Sequence, residues 1–251
     1  MIGNIPDDRL SPVIEMIKEA DGRCVALTGA GISVPSGIPA FRGSQGLWDK
    51  YDPFIYAEIG NFRRHPEKAW EMLGEMFRVI EKAAPNPAHR ALAELEDRGL
   101  LKAVITQNVD SLHQAAGSRR VIEFHGSNRD LLCLNCGRRE ADAALADFSE
   151  MPPRCPDCGS VLKPDVVFFG EAIPPKALDE ATRLSREADL MLVIGTSANV
   201  YPAAEMPLLT RQSGGRVVEI NLEKTPLTGP VAELTLFAPA DEILPAIAAR
   251  L

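Results

Sequence analysis

Five short apolar runs in this 251-residue chain end in the same way, and that repetition restricts the fold more than any other feature. The run from Cys24 to Leu27 stops at Thr28-Gly29, and the run from Leu101 to Thr106 breaks into Gln107-Asn108. Val121 to Phe124 stops at His125-Gly126, Leu190 to Ile194 at Gly195-Thr196-Ser197, and Arg216 to Ile220 at Asn221. Short β-branched or apolar runs bounded by turn residues read as buried strands. Helical patterns alternate with them. One starts at Ser11-Pro12 with Val13, Ile14 and Ile17 inward, and one at Asn86-Pro87 with Ala88, Leu92 and Leu95, ending at Gly99. A third covers Pro174 to Glu187, and the last follows Pro239-Ala240-Asp241 and runs to Leu251. Such alternation predicts an α/β fold: a Rossmann-like parallel sheet with helices on both faces. Val166 to Phe169 reads as one more strand, ending in Gly-Glu with an open edge, and Arg216–Asn221 as the last clear strand. Ligands of open α/β sheets bind outside the carboxyl ends of the strands. The polar and small residues collect there, which favours a large polar ligand.

The first of these ends runs into Gly29-Ala30-Gly31-Ile32-Ser33. A strand followed by G-x-G at a helix start cradles phosphate, because small residues let backbone N–H groups approach and the helix N-terminus favours negative charge. The fingerprint is incomplete: Val34 stands where the third glycine belongs, and no acidic ribose ligand follows on a second strand. A plain tight turn explains G-A-G equally well. Residues 35–43 are too rich in proline and glycine for a long helix. Phe41-Arg42 adds an aromatic cover and a fixed cation suited to phosphate or carboxylate.

The stretch 101–126 is the expected reaction centre, fed by two neighbouring strand ends. Asp110 is placed to cap a short helix through His113 and Ala116, closed by Gly117. Asn108 and Asp110 share a side of an extended chain, where an amide and a carboxylate can read a carboxamide; both also suit plain turn and cap roles. Of four histidines, His65 reads as a surface residue, and His89 and His113 as structural helix residues. His125 ends a strand beside Gly126, so its ring can face a cavity and act as a general base near neutrality.

Residues 45–84 read as irregular helices, the longest from Pro66 to Lys82 with Ala69, Met72, Leu73, Met76, Phe77 and Ile80 at helical spacing. Such a stripe is either core or the lining of an apolar pocket. Cys133-x2-Cys136 and Cys155-x2-Cys158 have the spacing of a four-thiolate zinc site, each pair followed by glycine. Redox C-x-x-C pairs or free thiols are the alternatives; zinc here would have four protein ligands and no open position, so it would be structural. Cys24 reads as an inert core residue.

A net charge of −8 argues against general nucleic-acid affinity. No apolar run approaches a membrane span, and MIGNIPDDRL lacks the basic and apolar regions of a secretory signal, so a cytoplasmic location is expected.

Taken in order, GAGIS-VPSGIPAFRG, TQNVD, FHG, two C-x-x-C pairs, FFGE, GTS and VVEIN resemble the sirtuin family of NAD-dependent protein lysine deacylases, from about Ile14 to Leu244. The resemblance implies one catalytic domain over 1–251: a Rossmann-like NAD-binding part (1–44, 85–127 and 164–251), a helical insertion (45–84) and a zinc insertion (128–163). It implies that Gly29, Ala30, Gly31 and Ile32 hold the NAD pyrophosphate, with Pro39, Phe41 and Arg42 on a cofactor loop. Gln107, Asn108, Val109 and Asp110 would surround the nicotinamide and its ribose, with His125 and Asn108 as the catalytic candidates. Gly195, Thr196, Ser197, Asn221, Leu222, Glu223 and Ala240 would meet the adenosine half. An acyl-lysine peptide would lie as an added strand between Val166, Val167, Phe168, Phe169, Gly170 and Glu171 on one side and Asn199, Val200 and Tyr201 on the other. In sirtuin-type chemistry the acyl oxygen attacks C1′ of the nicotinamide ribose, nicotinamide leaves, and O-acyl-ADP-ribose and free lysine result. Relatives that prefer succinyl or malonyl groups carry Tyr and Arg where this chain has Leu73 and Met76, so neutral acyl groups, chiefly acetyl, are expected. ADP-ribosyl transfer or NAD glycohydrolysis from the same pocket is the alternative, and a zinc-ribbon interaction module without catalysis a remote one.

Overall fold

Strand β1 (Cys24–Thr28) alternates its side chains between two separate cores. Cys24 and Ala26 join one, Val25 and Leu27 the other, and all are buried. The same period-two division holds in β7 (Leu190–Ile194), where Leu190, Leu192 and Ile194 face one core and Met191 and Val193 its opposite. Strands that are apolar on both faces need a helix layer on each. The computed structural model, which describes residues 7–41, 46–141 and 151–251, has that arrangement. Helices α1 (Asp7–Glu19), α6 (Pro87–Asp97) and α10 (Ala240–Ala248) cover one face, and α8 (Pro175–Glu187) and α9 (Met206–Gln212) the other.

The sheet joins β2 (Ala103–Thr106), β3 (Val121–Glu123), β8 (Arg216–Asn221) and β9 (Leu234–Phe237) to these two, in the order β3-β2-β1-β7-β8-β9, with every pairing parallel. Strand order reverses between β1 and β7, which are aligned from Cys24↔Leu190 to Thr28↔Ile194. Loops leaving those two strands therefore diverge to opposite faces and open a crevice between them.

Between β1 and β2 the chain builds α2 (Leu47–Lys50), α3 (Pro53–Tyr56), α4 (Ile59–Arg64) and α5 (Pro66–Lys82). Between β3 and α8 it builds a three-stranded sheet, β5-β4-β6, from β4 (Gly126–Cys133), β5 (Arg139–Glu140) and β6 (Leu162–Val166). These two excursions share a third core of Phe62, Trp70, Leu131, Leu162 and Phe168, and the Trp70 indole N–H donates to the Leu162 carbonyl at 2.8 Å.

Three expectations need correction. Helix α1 starts at Asp7, with Pro12 inside it; one lost backbone bond near the helix start is outweighed by the buried stripe Leu10, Val13, Ile14 and Ile17. Val166–Phe169 is not a strand of the main sheet. The strand is Leu162–Val166, antiparallel to β4, and past it only Phe169 makes an isolated bridge, to Glu58. Asn221 does not end the last strand, because β9 follows at the sheet edge, paired with β8.

Cys133, Cys136, Cys155 and Cys158 bring their sulfurs within 4.8 Å of one another. The cross-pairs Cys133–Cys158 and Cys136–Cys155 stand 3.5 Å apart. Zinc–sulfur bonds of about 2.3 Å in a tetrahedron put sulfurs roughly 3.8 Å apart, so the set fits one zinc ion. Hydrogen bonds from the side chains of Ser160 and Asn135 pull the Cys158 thiol down toward the thiolate, while the neighbouring sulfurs push Cys136 up. Cys24 is buried, and burial alone pushes its thiol up, as an inert core residue demands. Metal analysis should return one zinc per chain, and a chelator strong enough to strip it should melt the module around the four sulfurs. A folded, active preparation with far less than stoichiometric metal would contradict this assignment.

Candidate active site at the switch point of the sheet

The crevice between β1 and β7 opens into a cavity of about 1110 Å³. Its floor comes from strand ends: Gly29, Ala30 and Gly31 after β1, Gln107, Asn108 and Val109 after β2, and His125 after β3. Gly195, Thr196 and Ser197 after β7 continue it, as do Asn221 at the end of β8, Leu222 and Glu223 just past it, and Ala240 at the start of α10. The opposite wall is Val166, Val167, Phe168, Phe169, Gly170 and Glu171, and Asn199, Val200 and Tyr201 stand at the rim. Phe41 also lines the cavity, its ring stacked on Trp48 at 5.2 Å between centroids.

Among the described residues, three of the sequence-derived candidates are not in this lining, and a fourth lies outside the described residues. Ile32 is fully buried, Asp110 lies behind the floor, Pro39 contributes no surface to the cavity, and Arg42 lies outside the described residues. Conversely, Met72, Leu73, Met76, Phe77 and Ile80 of α5 all line the cavity, while Ala69 and Trp70 pack into the core. The apolar stripe is therefore core at its start and pocket toward its end. Sequence periodicity could not separate the two, because it reports burial against anything.

The glycines also join the two sides of the crevice. Gly29 N–H donates to the Ile194 carbonyl at 3.0 Å, and Gly31 N–H to the Gly195 carbonyl at 2.8 Å. Both amides are thus committed to holding the two diverging loops together. A Cβ on Gly29 would sit 2.7 Å from the Thr196 Cβ, and one on Gly31 2.8 Å from the Gly195 Cα. Gly195 has φ +58°, and a Cβ there would lie 2.5 Å from the Ile32 nitrogen. After the turn the chain makes single 3₁₀ turns at Ala30–Ile32 and Val34–Ser36 rather than a long helix.

Side-chain amides tie the strand ends into one floor. Asn108 Nδ2 donates to the Gly29 carbonyl at 3.2 Å and to Ser33 Oγ at 3.1 Å, linking β2 to β1. Gln107 Nε2 donates to Thr196 Oγ1 at 2.9 Å, and Asn221 Nδ2 to the Thr196 carbonyl at 2.8 Å. Asp110 accepts from Ser33 Oγ at 2.7 Å and from the Leu112 N–H at 3.0 Å, at the first turn of α7 (Leu112–Ala115), but the N-cap position itself is Ser111, in left-handed backbone, one residue later than the sequence suggests. Burial raises its pKa against those bonds. Ser33, a residue that motif reasoning passed over, joins Asp110 and Asn108 in one buried network.

The three inner histidines differ in kind. His89 completes the capping box of α6 with Asn86, and its ring meets that of His113 edge-on at 4.8 Å. Burial lowers their pKa values to about 4 and about 3, so both rings are neutral structural elements. His125 instead faces the cavity, with Nδ1 3.2 Å from the Gln107 carbonyl oxygen. A carbonyl can only accept, so Nδ1 carries the proton and Nε2 is left with its lone pair. Burial lowers this pKa too, and the bond to Gln107 partly opposes the shift.

Gly195→Ala tests the interlock of the two loops. Left-handed backbone together with a contact against the Ile32 nitrogen should lower the unfolding free energy by roughly 2 kcal/mol or more. Urea titration measures it, and a loss under about 0.5 kcal/mol, the range of neutral surface changes, would show that the loops do not depend on close approach.

Comparison with known proteins places this geometry. The Sir2 family profile matches residues 29–202. An NAD-dependent protein deacylase of Pyrococcus furiosus is 49% identical over 236 residues, spanning 92% of this chain and 94% of the relative. One from Thermococcus kodakarensis is 48% identical over 231 residues, 90% of each. Among solved structures, a Sir2 complex with deacetylated p53 peptide and 3′-O-acetyl ADP-ribose superposes with a TM-score of 0.91 at 42% identity, covering 96% of this chain and 98% of that one. With a profile match across most of its length and such relatives over nearly all of it, the chain belongs to the Sir2 family.

Proposed function

We infer that the protein is an NAD-dependent protein-lysine deacylase that acts chiefly on acetyl groups. The observation that carries this is the position of His125: its unprotonated Nε2 belongs to a ring that lines the same cavity as the loops at the switch point. The cavity, at about 1110 Å³, is at the upper end for a single small ligand, about 300–1,000 Å³. It therefore suits a dinucleotide meeting an acyl-lysine side chain. When bound, NAD would supply an electrophilic sugar carbon for the acyl oxygen and nicotinamide as the leaving group; with one water consumed in cleaving the amide, the products are nicotinamide, free lysine and O-acyl-ADP-ribose. The structural neighbour with deacetylated peptide and 3′-O-acetyl ADP-ribose holds two of the three products of that reaction.

The chain's own residues have these parts in the proposal. The Gly29–Gly31 turn and Gly195, Thr196 and Ser197 take the phosphates and the adenosine side, continued by Asn221, Leu222, Glu223 and Ala240. Gln107, Asn108 and Val109 take the nicotinamide side. Ile32 and Asp110 support this floor from behind, Asp110 by fixing Ser33 and Asn108. His125 takes a proton at Nε2, and the Gln107 carbonyl holds its tautomer and orientation. The cysteine module stiffens the fold and touches no reacting atom. In this proposal 1–251 is one catalytic unit with two insertions. Four cysteine ligands that must stay reduced fit a cytoplasmic location. Among the described residues no helix is long and apolar enough to cross a membrane.

His125→Ala should lower deacetylation of an acetyl-lysine peptide by about 10²-fold or more while the protein stays folded. Wild-type activity should require NAD. It should fall on acidification through a pKa below 6.5, because the lone pair on Nε2 is lost as the ring takes a second proton. Deacetylation without NAD, or an active alanine variant, would overturn the reading.

The acyl pocket is apolar where a dicarboxylate would need partners: Leu73 and Met76 line it beside Phe77. Leu73→Tyr/Met76→Arg should shift kcat/KM from acetyl toward succinyl peptides by about tenfold or more, the worth of one charge-assisted contact. An unchanged ratio in peptide competition, followed by mass spectrometry, would remove α5 from acyl selection.

A further inference from the structure

The wall Val166–Glu171 lines the cavity without being part of a regular strand beyond Val166. Its shape is held by bonds from several directions. Val167 N–H donates to the His125 carbonyl at 2.8 Å, and Phe169 N–H to the Ala57 carbonyl at 2.8 Å. Phe168 N–H donates to Glu171 Oε2 at 2.8 Å, and Gly170 turns the chain with φ +84°.

Behind this wall, and not in the cavity lining, stands Lys163, whose side chain is 3% exposed. Its ammonium donates to the Val166 carbonyl at 2.5 Å and the Pro164 carbonyl at 3.2 Å, and pairs with Glu171 at 2.9 Å. It also lies over the Phe168 ring, 4.5 Å from the centroid. Burial pulls its pKa down, and Glu171 opposes that shift. A buried ion pair adds little net stability over a well-packed apolar side chain of the same length. Geometry is what the charge supplies here: one ammonium fixes two carbonyls and the carboxylate that in turn holds Phe168 N–H.

We infer that Lys163 is a positioning residue for peptide recognition, clamping the wall Val166–Glu171 so that an acyl-lysine peptide meets a preformed edge. Through Val167 the same clamp holds the backbone of His125. The inference rests on the deacylase reading and extends it to a residue that touches neither substrate.

Lys163→Met separates this role from a merely structural one. The variant should stay folded and keep its KM for NAD within about twofold, while its KM for an acetyl-lysine peptide rises about tenfold through lost preorganisation. Calorimetric peptide affinity should fall by the same factor. Should Lys163→Met fail to fold because Glu171 is left unpaired, Lys163→Met/Glu171→Gln removes that charge and is read in the same way. Peptide KM within twofold of wild type in a folded variant, or NAD and peptide constants rising together, overturns the inference. Wild-type turnover in the same assay reports separately on the deacylase reading, so the two can fail independently.

Discussion

The structure depends on one close approach: the turn after β1 lies directly against the turn after β7. The Gly31 amide bonds to the Gly195 carbonyl, and three glycines stand where any side chain would strike backbone or Thr196. This contact sits where the strand order reverses, so the chain diverges there to both faces of the sheet. The crevice follows from topology, and the glycines keep its base narrow. Asn108, Gln107 and Asn221 then cross-link the remaining strand ends to that base. What results is a preorganised polar floor, with few groups left to reorder when ligands arrive.

Opposite the floor lies a unit made from two insertions remote in sequence. Helices α2–α5 and the sheet β5-β4-β6 share a core, and four clustered sulfurs staple the far end of that sheet. Such a staple suits a sheet with one very short strand, β5, which has few buried side chains of its own. This unit carries the apolar end of α5 and the wall Val166–Glu171 into the cavity. The backbone bond between Val167 and His125 joins the two bodies beside the cavity-facing imidazole.

Much of this was legible in the sequence, for identifiable reasons. Strand ends β1, β2, β3, β7 and β8 announced themselves because buried parallel strands are uniformly apolar and stop at small or polar residues. Helix α5 runs from Pro66 to Lys82 as its periodicity indicated, since proline at the first position and an amphipathic stripe are both local signals. The cysteine cluster followed from spacing, as ligand geometry is set over a few residues. What escaped reading was decided by partners distant in sequence. Strand β9 is a short, partly exposed edge strand whose identity comes from β8. Residues 167–169 look like a strand but are bound piecemeal to His125 and Ala57. Gly29 and Gly31 have amides that look free until the loop after β7 is placed against them. Asp110 holds Ser33, a pairing across 77 residues that local sequence does not announce.

The central claim is that one cavity brings a dinucleotide and an acylated lysine together beside a neutral imidazole. The most direct test is the stoichiometry of products from an acetyl-lysine peptide and NAD, followed by mass spectrometry in a single reaction. The account predicts nicotinamide, deacetylated peptide and O-acetyl-ADP-ribose in equal amounts. Free acetate appearing with NAD intact, or ADP-ribose accumulating while the peptide stays acetylated, would contradict it.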